Sequence, residues 1–274
     1  MNQNLKISFI GGGNMASALI GGLAGTVTDG GNIHVVDVNP DALQHLAQQF
    51  GVTSSATIDA AISASDVVVL AVKPQQMKQV VDKLLPYIHG QLVLSIAAGI
   101  QAIDLSRWLN GHDAIVRCMP NTPALIGKGI TGMVATRGVS EEQRAMADLI
   151  LCAVGSTIWL DDEALIDAVT AISGSGPAYV FYFIEAMQQA AQELGLTAQQ
   201  GNALAIATFV GASHLAAESA DPISVLRERV TSKGGTTYAA LNSLEESGVK
   251  ASIIAAAKAA AVRGKELGAE FGRD

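Results

Sequence analysis

Residues 9–23 read FIGGGNMASALIGGL and place three consecutive glycines between an apolar run and a segment with helical periodicity. The apolar run, residues 5–10, predicts a buried β-strand, and the segment after the glycines predicts an α-helix. Gly11, Gly13 and Ala16 fit the G-x-G-x-x-A form of the dinucleotide fingerprint. In that motif the first glycine turns the chain, the second lets a pyrophosphate approach the backbone, and the third small residue allows close packing. A tight strand-to-helix turn that binds nothing is the alternative.

Short β-branched runs alternate with helical segments up to about residue 160, which predicts βαβ units and a parallel sheet. Runs such as DVVVLAV are apolar at consecutive positions, as in strands that are covered on both faces. GITGMVAT and STIWL predict further strands near the edge of the sheet. Residues 1–160 are therefore expected to form an α/β domain with a mostly parallel, doubly wound sheet. Its main predicted strands are Lys6–Ile10, Ile33–Val36, Val67–Ala71, Leu92–Ser95 and Ile115–Cys118.

The strand pattern ends after WLDDEALIDAV, and alanine-rich helical segments continue from there to the C-terminus. A long helix is predicted to begin at Pro177, because the apolar residues that follow keep helical spacing. Thr197 and Gln200 have the spacing of a capping box and predict the start of the next helix. Residues 161–274 are expected to form an all-α domain.

The composition excludes several classes of partner. A net charge of −8 and a pI near 5.1 argue against a surface for nucleic acid or for an anionic membrane. Anionic ligands must then be held by backbone N–H groups or by single basic residues. The two cysteines and five histidines show no metal-ligand spacing, so no metal site is expected. The N-terminal segment MNQNLK resembles no signal peptide, and we expect a cytoplasmic protein.

The polar residues that follow the predicted strands are the candidates for cofactor contacts, because ligands bind beyond the carboxyl ends of parallel strands. Asp37 follows the glycines by about twenty residues, where an acid binds the adenosine ribose hydroxyls. Such an acid favours NADH over NADPH; the alternative is an aspartate that only forms a turn. Asn39 comes two positions later in the same segment. After the next long strand, Pro74 leaves the backbone of Ala71 and Val72 facing the cofactor, and Lys73 supplies a cation or is merely solvated.

The segment SIAAG, residues 95–99, has residues small enough to let a nicotinamide ring lie against the backbone. Elsewhere the chain contains no pattern typical of a Ser-His-Asp triad or of a pair of catalytic carboxylates. The reaction is therefore expected to require little proton transfer from protein side chains.

The helical half contains one unusual segment, VTSKGGTTYAAL, residues 230–241. Gly234 and Gly235 directly precede a predicted helix, so consecutive backbone N–H groups form a concavity of the size of an anion. The hydroxyls of Ser232 and Thr237 flank it, and a small carboxylate would fit. The alternative is an ordinary glycine turn with a threonine helix cap.

Together these segments resemble the pyrroline-5-carboxylate reductases, which reduce a cyclic imine to L-proline with NADPH or NADH. The similarity spans nearly the whole chain and is carried by FIGGGNMASALIGGL, AVKP, SIAAG, RCMPNTPA, ISGSGPAYVF and VTSKGGTTYAAL, in that order. The resemblance implies a Rossmann-type N-terminal domain and a helical C-terminal domain that dimerises through interlocking helices, with a higher multiple of dimers left open.

The same resemblance implies roles for individual residues. Those at the pyrophosphate are Gly11, Gly13, Asn14 and Met15, and those near the nicotinamide are Val72, Lys73 and Ala98. Those at the substrate are Ser232, Gly234, Gly235, Thr236 and Thr237, with Thr237 bonding to the ring nitrogen. Glu163 matches a family acid near the proline site. Arg229 departs from the asparagine of some relatives, which leaves its role open.

Two other functions are compatible with parts of the sequence. A 3-hydroxyacid dehydrogenase shares the glycine turn, but it requires a catalytic lysine on the interdomain helix, and residues 177–194 contain none. A non-catalytic NAD(P)-binding regulator would keep the fingerprint and would have no need of the paired-glycine segment.

Overall fold

The structure is a computed structural model that describes residues 4–272. Its strands are β1 (Ile7–Ile10), β2 (Ile33–Val36), β3 (Thr53–Ser55), β4 (Val67–Leu70), β5 (Leu92–Ser95), β6 (Ile115–Met119), β7 (Gly129–Ala135) and β8 (Gly155–Trp159). Its α-helices are α1 (Asn14–Leu23), α2 (Pro40–Phe50), α3 (Met77–Leu84), α4 (Ala102–Trp108), α5 (Glu141–Cys152), α6 (Leu165–Val169), α7 (Gly176–Glu193), α8 (Ala198–Glu218), α9 (Ile223–Arg229), α10 (Thr236–Glu246) and α11 (Val249–Phe271).

The chain divides into two compact units. Unit 1 comprises the residues up to Ser175 together with those from Ala260 onward, and unit 2 comprises Gly176–Ala259. The predicted domain boundary at residue 160 marks the end of the strand pattern, whereas the compact units separate fifteen residues later. Helix α6 accounts for part of this difference, because it packs against β6 and β7 and so belongs with the sheet.

Unit 1 contains one eight-stranded sheet with the order β3-β2-β1-β4-β5-β6-β7-β8. All neighbouring strands are parallel except β6 and β7, which are antiparallel. The direction of winding reverses between β1 and β4, so a crevice forms beyond the carboxyl ends of these two strands. This is the expected doubly wound Rossmann-type sheet.

Apolar residues cover both faces of the sheet. On one face Phe9 and Val69 pack in a cluster with residues of α1, α2 and α5. On the other face Val68 and Val93 pack with residues of α3 and α4. Because each central strand is buried on both sides, it carries apolar residues at consecutive positions, as its sequence indicated.

The five main strand predictions are confirmed, each within one residue at either end. The two additional strands are also confirmed, as β7 and β8 at one edge. The sequence analysis missed β3, whose residues Thr53, Ser54 and Ser55 are polar and pair with β2 at the opposite edge.

Unit 2 is helical. Helices α7 and α8 pack together, and the predicted capping box at Thr197 and Gln200 begins α8. Large apolar side chains on both helices are nevertheless exposed, among them Phe181 at 62% and Leu204 at 56%. Within residues 4–272, no helix has the length and apolar character needed to cross a membrane.

Candidate functional site

A cleft of about 730 Å³ opens in unit 1 beyond the carboxyl ends of β1, β2 and β4. It contains most of the predicted cofactor residues, since Gly11, Gly13, Asp37, Ala71, Val72 and Lys73 all line it. Ala98 is not among the lining residues and lies half-buried in the loop after β5. The cleft thus lies where the reversal of strand order predicts a ligand.

Gly11 is required by the fold itself. Its φ is +104°, and a Cβ atom at this position would lie 2.6 Å from the carbonyl oxygen of Ala71. Its N–H donates to the carbonyl of Val36 at 2.8 Å, which holds the turn against β2. Any side chain here would force β1 and β4 apart at the floor of the cleft.

Gly13 differs, because no protein atom requires a glycine there. It is the N-cap residue of α1, with ordinary extended backbone, and a Cβ atom built on it meets nothing within 4 Å. No side chain of the described residues caps this helix, so the N–H groups of its first turn, from Asn14 and Met15 onward, face the space that Gly13 leaves open. A helix N-terminus with open backbone donors is suited to a phosphate group.

The carboxylate of Asp37 supports the glycine turn. Its Oδ2 atom accepts a hydrogen bond from the N–H of Gly12 at 2.6 Å, and its Oδ1 atom accepts one from Asn39 at 2.8 Å. Asn39 in turn caps α2 by accepting from the N–H of Asp41 at 3.0 Å. Asp37 therefore makes turn contacts, and its contact with the ribose stays a prediction. Sequence reasoning missed the bond between Asp37 and the glycine turn.

Lys73 lies on the opposite wall of the cleft. The segment that contains Lys73 begins at Ala71. The N–H of Ala71 donates to the carbonyl of Ile10 at 2.8 Å and so fixes the turn beside β1. The Lys73 side chain is exposed, so it brings a positive charge to the cleft at little cost of desolvation.

Glu163 belongs to a buried polar cluster in unit 1 that the sequence did not predict. Its Oε1 atom accepts hydrogen bonds from Nη1 of Arg117 at 2.9 Å and from the N–H of Ala102 at 2.8 Å. Oε2 accepts no hydrogen bond from the residues that the structure describes. Arg117 is only 4% exposed, although it lies in the apolar strand β6. A charged residue in such a strand was the one available signal, because a buried guanidinium requires an acidic partner.

Asp104 lies close to this ion pair. Burial raises the pKa of its carboxyl above the usual 3.8, and the negative charge of Glu163 acts in the same direction. The guanidinium of Arg107 donates to Oδ1 of Asp104 at 3.1 Å and lowers the pKa, as does the charge of Arg117, but burial outweighs them.

The predicted substrate segment lies in unit 2 and forms a turn before α10. Gly234 has a φ of +74°, and Gly235 is the N-cap residue, with its N–H bonded to the carbonyl of Ser232 at 3.0 Å. A Cβ atom on Gly235 would lie 2.5 Å from Oγ of Ser232, so a side chain there would displace that hydroxyl. Among the described residues no side chain caps α10, and no hydrogen bond occupies the hydroxyl of Thr237. The threonine-cap alternative is therefore wrong, and the backbone donors of the first turn are open.

Arg229 has a partner within unit 2. Its Nη1 atom lies 2.5 Å from Oδ2 of Asp221, and both side chains are largely exposed. Arg229, whose role the sequence left open, is thus accompanied by an acid that neutralises its charge. No group of three or more metal-ligating side chains occurs among residues 4–272.

Two family models match the chain. One, described as NADP oxidoreductase, coenzyme F420-dependent, matches residues 6–99, and the other, pyrroline-5-carboxylate reductase dimerisation, matches residues 163–267. The pyrroline-5-carboxylate reductase of Pseudomonas aeruginosa is 44% identical over 98% of this chain and 98% of its own. The Haemophilus influenzae enzyme is 41% identical over 97% of this chain and 98% of its own.

Solved structures agree with this similarity. A pyrroline-5-carboxylate reductase from Coxiella burnetii superposes with a TM-score of 0.91 at 39% identity, covering 96% of this chain and 98% of that one. The Plasmodium falciparum pyrroline carboxylate reductase with NADP bound has a TM-score of 0.87 at 29% identity, covering 97% and 99%. The glycine turn, the open first turns of α1 and α10 and these matches over the full length lead to one assignment: the chain belongs to the pyrroline-5-carboxylate reductase family.

Proposed function

We propose that the protein reduces L-1-pyrroline-5-carboxylate to L-proline, with NADPH or NADH as the hydride donor, in the last step of proline biosynthesis. The observation that carries the cofactor assignment is the open space at Gly13. The protein needs glycine at Gly11 for its own packing, but at Gly13 only a ligand would need it. The pyrophosphate would bind the open N–H groups of Asn14 and Met15.

The other cofactor residues fit a dinucleotide that extends along the cleft. Asp37 and Asn39 would lie at the adenosine end, and Ala71, Val72 and Lys73 would lie toward the nicotinamide. Ala98, in the loop after β5, would lie against the nicotinamide ring. The exposed ammonium of Lys73 would balance part of the negative charge of the pyrophosphate.

The substrate residues would act by binding and orientation. When bound, reduced nicotinamide supplies a hydride to C5 of the protonated imine, which is already electrophilic. The open backbone donors of Thr236 and Thr237, together with Ser232 and the turn at Gly234 and Gly235, would hold the substrate carboxylate. The hydroxyl of Thr237 would accept the N–H of the protonated ring nitrogen. Glu163 is a separate candidate for substrate binding, through its Oε2 atom. Positioning of this kind lowers the barrier without a protein acid or base.

The assembly and setting are part of the same proposal. Residues 1–160 would bind the cofactor, and residues 161–274 would bind the substrate and dimerise. The exposed apolar side chains of α7 and α8 support a homodimer, because a stable monomer rarely leaves so many uncovered. The proposal also includes a small-molecule substrate, no nucleic-acid or membrane partner, and a cytoplasmic location.

The central experiment follows the absorbance of reduced nicotinamide in the purified protein. NADPH or NADH should be oxidised only when pyrroline-5-carboxylate is added, and L-proline should accumulate in equal amount. No turnover with either cofactor would remove the proposed activity, and cofactor binding without turnover would support a non-catalytic regulator.

The cofactor site has its own test in the variant Gly13→Ala. Its Cβ meets no protein atom, so folding should be unaffected, while the Kd for NADPH should rise about tenfold because the methyl group occupies the place of the phosphate. Gly31→Ala is the matched control, because its Cβ also meets nothing within 4 Å and it does not line the cleft. Equal Kd values for the two variants would contradict the assignment.

A further inference from the structure

The loop of residues 96–101 connects β5 to α4 and contains Ala98, which the proposed function places against the nicotinamide. We propose that Arg117 and Glu163 are positioning residues that fix this loop for hydride transfer. The inference rests on the proposed function, and it concerns Oε1 of Glu163, whereas a substrate contact would use Oε2.

The first argument is the hydrogen bond at the end of the loop. Ala102 is the first residue of α4, and its N–H has no partner within the helix because of its position. Gln101, the N-cap residue, makes no side-chain cap. Oε1 of Glu163 instead accepts from Ala102 at 2.8 Å, across 61 residues of sequence. The place where the loop becomes helix is therefore set by Glu163.

The second argument is how Glu163 itself is held. The same Oε1 atom accepts from Nη1 of Arg117 at 2.9 Å, and the Arg117 side chain is 4% exposed while that of Glu163 is 30% exposed. Arg117 is paired in register with Ser95, the last residue of β5 before the loop. The ion pair thus connects β6, the neighbour of the strand that precedes the loop, to the helix that follows it.

The third argument is that the middle of the loop is also held. Gly99 has a φ of +81° and packs against α11, where a Cβ atom on Gly268 would lie 3.1 Å from the Gly99 carbonyl oxygen. With Ser95 fully buried in the sheet, the loop is fixed at its start, its middle and its end. A displacement of Glu163 then strains the two residues that join Ala102 to Gly99, and Gly99 directly follows Ala98.

Energetics also favour a geometric role. Replacing a buried ion pair with apolar residues of similar size is often neutral or stabilising, so such a pair contributes little to stability by itself. The ion pair instead orients the groups that it joins, because Oε1 of Glu163 accepts from two donors, Arg117 and Ala102, whose positions are fixed.

The experiment compares five variants. Glu163→Leu removes the acceptor, and Glu163→Gln keeps an oxygen that can accept both hydrogen bonds. Arg117→Met removes the donor and leaves a half-buried carboxylate without its cation. The double variant Arg117→Met/Glu163→Leu therefore provides an apolar replacement that folds if the single variant does not. Arg107→Met is the matched control. It removes an exposed guanidinium on α4 that contacts Asp104 and the carbonyl of Gly272.

Each variant is measured for kcat, for the fluorescence and Kd of bound NADPH, and for the Kd of ADP-ribose, a probe without nicotinamide. Glu163→Leu and Arg117→Met should lower kcat about tenfold or more, since a displacement well below 1 Å already reduces a rate that depends on alignment. The Kd of ADP-ribose should stay within about twofold, because the adenosine end is not moved. Glu163→Gln should keep clearly more of kcat than Glu163→Leu, and Arg107→Met should match the wild type.

The double variant tests whether the two residues act as one unit. Its loss in kcat should be no larger than that of the worse single variant, because residues that act together are not additive. Three results would each overturn the proposal. They are losses in kcat that multiply in the double variant, a parallel loss of ADP-ribose binding, and a kcat for Glu163→Gln as low as that for Glu163→Leu. If the wild type does not turn over, the proposed function fails, while the fluorescence of bound NADPH still reports whether the loop has moved.

Discussion

Thr237→Ala removes a hydroxyl that the structure leaves without an intramolecular partner among the described residues. If Thr237 were a helix cap, its loss would lower the free energy of unfolding by about 1 kcal/mol. Because Gly235 is the N-cap residue and no side chain caps α10, the expected change is within about 0.5 kcal/mol. A hydrogen bond to the ring nitrogen in the transition state is worth about 1.4 kcal/mol or more, so kcat should fall about tenfold or further.

The assay measures kcat with pyrroline-5-carboxylate and NADPH, and thermal unfolding of the same preparation at a fixed protein concentration. Thr237→Ser should keep most of the rate, since it retains the oxygen. Ser243→Ala, on the exposed side of the same helix, is the control and should change neither quantity. A loss of stability in Thr237→Ala without a loss of rate would refute the assigned role.

Three further variants and one measurement of molecular mass test other parts of the structure. Gly11→Ala should lower the free energy of unfolding by more than about 1 kcal/mol in denaturant titrations, because its φ is +104° and its Cβ would meet the Ala71 carbonyl at 2.6 Å. Asp37→Ala should raise the Kd of NADH more than that of NADPH; equal effects would show that Asp37 acts only through the glycine turn. Because burial raises the pKa of the Asp104 carboxyl, the folded state binds that proton more readily than the unfolded chain, and Asp104→Asn should be more stable than wild type at neutral pH. That advantage should shrink as the pH falls through the raised pKa toward 3.8, and thermal unfolding over a pH series would show a constant difference if the reasoning were wrong. Finally, light scattering should give a dimer or a multiple of it, and an active monomer would contradict the proposed assembly.

Local chemistry accounts for what the sequence predicted well. The central strands are buried on both faces, so a short apolar run is enough to locate each of them. The glycine turn and the start of α10 depend on adjacent residues, whose spacing is visible in the sequence. Strand β3 gave no such signal, because its three polar residues are placed only by their pairing with β2.

Two of the polar contacts that sequence analysis missed join residues far apart in the chain. Asp37 reaches the N–H of Gly12 across 25 residues, and Glu163 reaches Arg117 across 46. Periodicity and local motifs contain no information about such pairs, since the fold alone brings them together. A charged residue inside an apolar strand, such as Arg117 in IVRCM, indicates that a partner exists without saying which acid it is.

Helices α1 and α10 begin in the same way, with one difference between them. Gly13 and Gly235 are both N-cap residues with extended backbone, and neither helix has a side-chain cap. A serine or aspartate cap would occupy the donors of the first turn, so glycine keeps them open for an anion. At Gly13 the space is open to a ligand, whereas at Gly235 the hydroxyl of Ser232 fills it and can itself donate to that anion. Two open helix ends of this kind suit a pyrophosphate-bearing cofactor and a carboxylate-bearing substrate, because backbone donors bind anions without adding positively charged side chains to an acidic chain.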